Sequence, residues 1–148
     1  AVEYYKDPEA TAAAFMGEWH TVGDMGYRDE DGYLYITDRR KNMIISGGIN
    51  VYPAEIEDVL AAHPAIEEVA VIGIPDEVWG EAVCALVVLR PGTHETAETL
   101  DAFSRGRLAG FKRPRRFVFR SELPKTYAGK ISHRELREPY WSGRENRV

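Results

Sequence analysis

Val69-Ala70-Val71-Ile72-Gly73-Ile74 is followed, after Pro75-Asp76 and Gly80, by Ala82-Val83-Cys84-Ala85-Leu86-Val87-Val88-Leu89. Both runs are rich in strand-forming residues, and the Pro, Asp and Gly between them favour a turn, so two paired strands are expected. Upstream, Pro53 opens a helix that sets Ile56, Val59 and Leu60 on one face and Glu55, Glu57 and Asp58 near its positive end, with Pro64 closing it. Before that helix, Met43-Ile44-Ile45-Ser46 reads as a short strand, then come Gly47-Gly48 and an extended Asn50-Val51-Tyr52. Downstream, an amphipathic helix is expected from Thr96 to Leu108 through Leu100 and Phe103. Arg116-Phe117-Val118-Phe119-Arg120 alternates as a half-buried strand, and a short helix runs from Ser132 to about Glu138. Helices interleave with strands, which gives an α+β class (or a small α/β sandwich) with a mixed sheet and flanking helices.

The first forty residues read differently. Asp7-Pro8 caps and opens a helix through Phe15 that Gly17 ends. Tyr27-Arg28 and Tyr33-Leu34-Tyr35-Ile36 flank Asp29-Glu30-Asp31-Gly32, the pattern of a β-hairpin. The polar run Asp38-Arg39-Arg40-Lys41 interrupts this pattern, so the expected pieces are residues 1–40 and 41–148. The opening Ala1-Val2-Glu3-Tyr4-Tyr5-Lys6 has neither Met nor a signal-peptide pattern and reads as the interior of a longer protein.

Composition narrows the class. The 148 residues are 44% hydrophobic but hold no apolar stretch of membrane-spanning length, so no transmembrane segment is expected. The single cysteine, Cys84, lies in an apolar run and reads as core; with no internal disulfide available, a reducing, cytoplasmic setting fits. The net charge is −5, yet Arg105, Arg107, Lys112, Arg113, Arg115, Arg116 and Arg120 fall in a stretch free of Asp and Glu. A local basic block on an acidic chain suits one small polyanion better than a nucleic acid, which needs a broad basic face.

Four segments, in order, resemble the acyl-adenylate-forming enzymes, the family of acyl- and aryl-CoA synthetases, luciferases and peptide-synthetase adenylation domains. They are Trp19-His20-Thr21-Val22-Gly23-Asp24; Asp38-Arg39-Arg40-Lys41; Ile45-Ser46-Gly47-Gly48-Ile49-Asn50-Val51-Tyr52-Pro53-Ala54-Glu55-Ile56-Glu57; and Leu123-Pro124-Lys125-Thr126-Tyr127-Ala128-Gly129-Lys130-Ile131. The last is not a phosphate-cradling P-loop, since Pro124 stands in place of its first glycine and Ile131 in place of the Ser or Thr.

The resemblance implies the small mobile C-terminal domain of a fatty-acid-CoA-ligase-like enzyme, preceded by the β-hairpin tail of its large N-terminal domain. It implies that Lys130 is catalytic, contacting the substrate carboxylate and the α-phosphate, and that Asp24 and Arg39 contact the ribose of ATP. Lys41 would be the hinge. Gly47 and Gly48 would form the loop that admits pantetheine, and Trp79, Phe111, Arg113 and Arg115 would meet the nucleotide end of CoA. The family often carries Thr directly before Gly-Asp, whereas here Val22 intervenes after Thr21. ATP, CoA and a small carboxylic acid are the implied substrates, with Mg2+ accompanying ATP and bound mainly outside this chain, and no resident metal. The implied partner is the enzyme's own N-terminal domain, without which the chain is expected to be inactive. The alternatives are an adenylation domain loading a carrier protein, a luciferase-like oxidase, or a non-catalytic binding module of the same fold.

Overall fold

The computed structural model describes residues 3–143, so Ala1 and Val2 of the opening stretch lie outside the described residues. The chain divides into two compact units, Ala1–Lys41 and Asn42–Val148, a boundary one residue beyond that expected from sequence.

In the first unit, helix α1 (Pro8–Ala14) starts where Asp7 accepts a hydrogen bond from the Ala10 amide, with Pro8 in its first turn. It ends one residue before the expected Phe15, because Phe15 enters a two-stranded ribbon of β1 (Phe15–Met16) and β2 (Trp19–His20). Gly17, at φ +64°, makes the reversal between them. Strands β3 (Asp24–Arg28) and β4 (Leu34–Arg39) form the expected hairpin. Tyr27 and Tyr35 stack across it with ring centroids 5.0 Å apart, and Asp29 closes its turn by accepting from the Tyr33 amide at 2.8 Å.

The second unit is built on one mixed sheet. Its elements are β5 (Ile44–Ser46), β6 (Ile49–Val51), α2 (Pro53–Ala61), β7 (Ile66–Asp76), β8 (Gly80–Leu89), α3 (Ala97–Ser104), β9 (Arg116–Phe119) and α4 (His133–Trp141). The order is β6-β5-β8-β7, antiparallel throughout, with β9 added parallel to β8. Strand β8 is the hub: β7 pairs along its whole length, β5 meets it at Gly80 and β9 at Cys84 through Val87.

Strand side chains alternate between faces, so β8 divides its apolar residues between two cores. Val83, Ala85 and Val87 pack with Ile56 and Leu60 of α2 and Leu100 of α3. Ala82, Cys84, Leu86 and Val88 pack on the other side with Leu123 and with Leu136 of α4. Burial pushes the Cys84 thiol up to about 11, as expected of a core cysteine.

Strand β7 begins three residues before Val69 and carries Pro75-Asp76, expected as a turn, as paired strand; three further elements depart from the sequence reading. Helix α3 stops at Ser104, four residues short of Leu108, where Arg105 becomes extended and Gly106 turns at φ +78°. Leu108 is nonetheless buried, placed in the core by a loop. Strand β9 does not bury alternate residues: Phe117 and Val118 are both half-buried, because each face of the sheet is covered and they join opposite cores. Helix α4 runs past Glu138 and through Pro139 to Trp141. Proline there removes one backbone donor, and the Trp141 indole anchors the last turn by donating to the Gly73 carbonyl at 3.0 Å.

Leu86 is fully buried in the middle of the hub strand. Leu86→Ala should lower the unfolding free energy by about 2–5 kcal/mol, the range for large-to-small changes in a packed core; urea denaturation followed by far-UV circular dichroism measures it.

Candidate functional site

Lys130 sits on an exposed loop between β9 and α4 whose backbone closes on itself. The Thr126 amide donates to the Lys130 carbonyl at 2.7 Å, the Ser132 amide to the Pro124 carbonyl at 2.8 Å, and Lys125 bridges to Ile131. Gly129, at φ +74°, takes the bend just before Lys130. The Ser132 side chain caps α4 by accepting from the Glu135 amide. Among the described residues no carboxylate forms an ion pair with Lys130, so its ammonium projects from a defined backbone into solvent.

In the first unit, register sets Asp24 opposite Arg39 at the end of the β3–β4 hairpin. The Arg39 Nε lies 3.3 Å from Asp24 Oδ1, and both side chains remain open to water. Gly23, at φ +79°, precedes Asp24, and its amide donates to the Thr21 hydroxyl at 3.0 Å. Thr21 thus holds the turn that aims Asp24. Val22, Gly23, Arg39, Arg40 and Lys41 line an open groove beside the pair. Lys41 is exposed, in a 3-10 turn at Arg40–Asn42 where the unit ends.

Gly47, Gly48, Trp79 and Arg115 come together in the second unit. Gly47-Gly48 forms the two-residue turn between β5 and β6, both at positive φ. A Cβ on Gly47 would lie 2.6 Å from the Trp79 ring, whereas one on Gly48 would meet nothing within 4 Å. The Gly47 amide donates to the Trp79 carbonyl at 2.8 Å, and the Arg115 guanidinium lies 4.9 Å from the indole centroid. Asp76 shapes this end of the sheet by accepting from the Val78 and Trp79 amides, each at 2.9 Å. The Trp79 bond first, then the Val78 bond and the charge of Arg115, hold its carboxyl below the usual range.

The other members of the basic block are dispersed. Arg113 pairs with Asp101 of α3 at 3.1 Å, and the same carboxylate holds Arg105 at 2.8 Å. Lys112 pairs with Glu55 at 2.6 Å while its ammonium stays 5.8 Å from the ring centroid of the exposed Phe111. Arg107 lies over Phe103 and Arg116 over Tyr140.

This geometry can be compared with known proteins. Residues 55–130 match the model of the AMP-binding enzyme C-terminal domain. The chain belongs to that family. A long-chain-fatty-acid–CoA ligase of Bacillus subtilis is 52% identical over 135 residues, which are 91% of this chain and 24% of the relative. A fatty acid–[acyl-carrier-protein] ligase, ScoC, of Streptomyces coeruleorubidus is 46% identical over 147 residues, 99% of this chain and 28% of the relative. ATP-bound MatB from Rhodopseudomonas palustris superimposes with a TM-score of 0.85 at 38% identity, over 95% of this chain and 28% of that structure. The chain therefore spans about a quarter of the length of the relatives it matches.

Three carboxylates of this AMP-binding C-terminal domain brace the candidate groups through contacts that the sequence does not show. Glu81 is buried under β5, where it accepts from the Ile45 amide at 3.0 Å and fills the space over Gly73 that a side chain would occupy. Glu68 pairs with Lys125 ahead of Lys130, and Glu57 contacts His133, the first residue of α4, just after it. Glu57 stands beside Asp58 and Glu68 beside Glu67, so neither is singled out by its neighbours, and the side chains they hold, like the strand that Glu81 supports, lie tens of residues away along the chain.

The glycine turn yields a contrast between neighbours. Gly48→Ala should lose only the backbone preference for positive φ, about 1–2 kcal/mol. Gly47→Ala should lose more and also displace Trp79, seen as a change in tryptophan emission that Gly48→Ala lacks.

Proposed function

We propose that this chain is the C-terminal part of an AMP-forming acid–thiol ligase that makes acyl-CoA. The observation carrying the reading is Lys130, an ammonium without an ion-pair partner among the described residues, held on a hydrogen-bonded loop. In the first half-reaction a carboxylate oxygen attacks the α-phosphorus of ATP, and the bond to pyrophosphate breaks. Negative charge gathers between two anions at that moment, and a fixed cation lowers the barrier there. Asp24, an acceptor steadied by Arg39, suits a pair of ribose hydroxyls. Magnesium would enter on the phosphates of ATP, and among the described residues no cluster of three or more ligand side chains is built for it.

In the second half-reaction the CoA thiol attacks the acyl carbon of the adenylate, its proton leaves and AMP departs. Rotation about Lys41 would withdraw Lys130 and bring in Gly47-Gly48, whose missing side chains leave a passage for pantetheine. Trp79 with Arg115 offers a ring and a guanidinium to the adenine and phosphates of CoA. Arg105, Arg113 and Lys112 are drawn to acids, and Arg107, Arg115 and Arg116 lie over rings. This leaves among the described residues no broad basic face of the kind a nucleic acid needs, while Arg115 beside Trp79 can meet a small polyanion. The enzyme's own N-terminal domain would complete the site, and a fatty acid is the substrate class named for both sequence relatives. A lone cysteine, Cys84, with no partner for an internal disulfide fits a reducing, cytoplasmic setting.

Lys130→Ala in the intact ligase should lower carboxylate-dependent ATP–pyrophosphate exchange by about 10²–10³, while conversion of supplied acyl-adenylate to acyl-CoA stays near wild type. Equal loss of both steps would sink the alternation, and no loss would sink the catalytic assignment. The chain alone should fold and release no pyrophosphate. Trp79→Ala or Arg115→Ala should raise the KM for CoA and spare exchange; unchanged CoA kinetics would return both residues to packing.

A further inference from the structure

The loop carrying Lys130 is fastened at both of its legs by side chains that take no part in the chemistry above. On the incoming leg, Lys125 Nζ meets Glu68 Oε1 of β7 at 2.5 Å, and the hydrogen bond and charge of Glu68 raise the lysine above its usual range. On the outgoing leg, His133 Nε2 lies 2.8 Å from Glu57 Oε1 of α2. That oxygen also accepts from the Val71 amide of β7 at 2.7 Å. A carboxylate only accepts, so Nε2 carries the proton.

The second contact has an unusual path. Helix α2 packs on one face of the sheet and α4 on the other, and β7 is the outermost strand between them. The Glu57–His133 contact therefore passes around the sheet edge and ties the start of α4 to the opposite layer. Both legs end on the same strand, Glu68 within β7 and Glu57 on the β7 amide of Val71. Between them the two backbone bonds at Thr126 and Ser132 lock the legs to each other.

An ion pair as open to water as Lys125–Glu68 contributes little to global stability. The value of these contacts is geometric. A lysine side chain has four rotatable carbons, so the position of its ammonium depends on how firmly its backbone is held, and displacement of a catalytic group by about 1 Å can cost up to about 10²-fold in rate.

We propose that Glu68 and Glu57 are positioning residues for adenylation, acting through Lys125 and His133 to fix both legs of the Lys130 loop to β7. The proposal rests on the reading of Lys130 above. Lys125→Ala and His133→Ala in the intact ligase should each lower carboxylate-dependent exchange about tenfold, and together about 100-fold. Acyl-CoA formation from supplied adenylate should be unchanged. His133→Gln, which keeps a donor at similar reach, should restore exchange, as should the charge exchange of Lys125→Glu with Glu68→Lys. In the 148-residue chain, Lys125→Ala should speed hydrogen exchange at the Thr126 and Ser132 amides. Undiminished exchange activity in the double variant, or parallel loss of both half-reactions without rescue by the paired charge exchange, would overturn the proposal. Lys130→Ala separates the two readings: if it abolishes adenylation while the leg variants do not, only the tether falls, and if it has no effect the catalytic reading falls with it.

Discussion

Everything in the second unit depends on burying β8 from both sides. A strand apolar at every position from Ala82 to Leu89 cannot rest on a single layer, since half its side chains would face water. The chain answers by sending α2 and α3 to one face and α4 to the other, each with its own apolar stripe. The loops that join these layers are therefore drawn around the sheet, and the candidate groups sit where they pass its ends and its edge. Gly47-Gly48 and Trp79 occupy one end of the β5–β8 junction, while the Lys130 loop lies on the way from β9 into α4.

Local signals were strong wherever a residue acts on its own backbone. Asp7, Pro8, Pro53, Thr96 and Ser132 mark helix starts through their own chemistry, and the two long apolar runs could be nothing but paired strands once Asp76 and Gly80 separated them. The end of α3 was not legible, because Leu108 keeps helical spacing while Gly106 bends the chain out of the helix. The β1–β2 ribbon was missed because two-residue strands have no periodicity to read. Strand β9 misled through its pattern, since alternation means half-burial only on a sheet with one bare face.

Of the site, the family resemblance supplied Lys130, Asp24, Arg39 and the glycine turn, and their neighbourhoods came only from the fold. Charge count grouped seven cations into one block, yet chain adjacency is not spatial adjacency: Asp101 draws off Arg113 and Arg105, Glu55 draws off Lys112, and Arg115 goes to Trp79. Acids outside the acid-free stretch reorganise it, and nothing within the stretch announces them. Glu57, Glu68 and Glu81 escaped for the same reason, each being defined by a partner distant in sequence.

The parallel pairing of β9 with β8 carries a kinetic implication. Strands β7 and β8 are joined by a short turn and can close early, whereas β9 must return across the whole span that holds α3 before it finds its place. Loop closure over such a span is entropically slower, and contacts that depend on it form late. The Lys130 loop hangs from β9 on one side and α4 on the other, so its shape is set only after the rest of the sheet has assembled. A nascent or partly folded chain would thus present the sheet before the lysine, and the candidate cation would be withheld until the scaffold that aims it is complete.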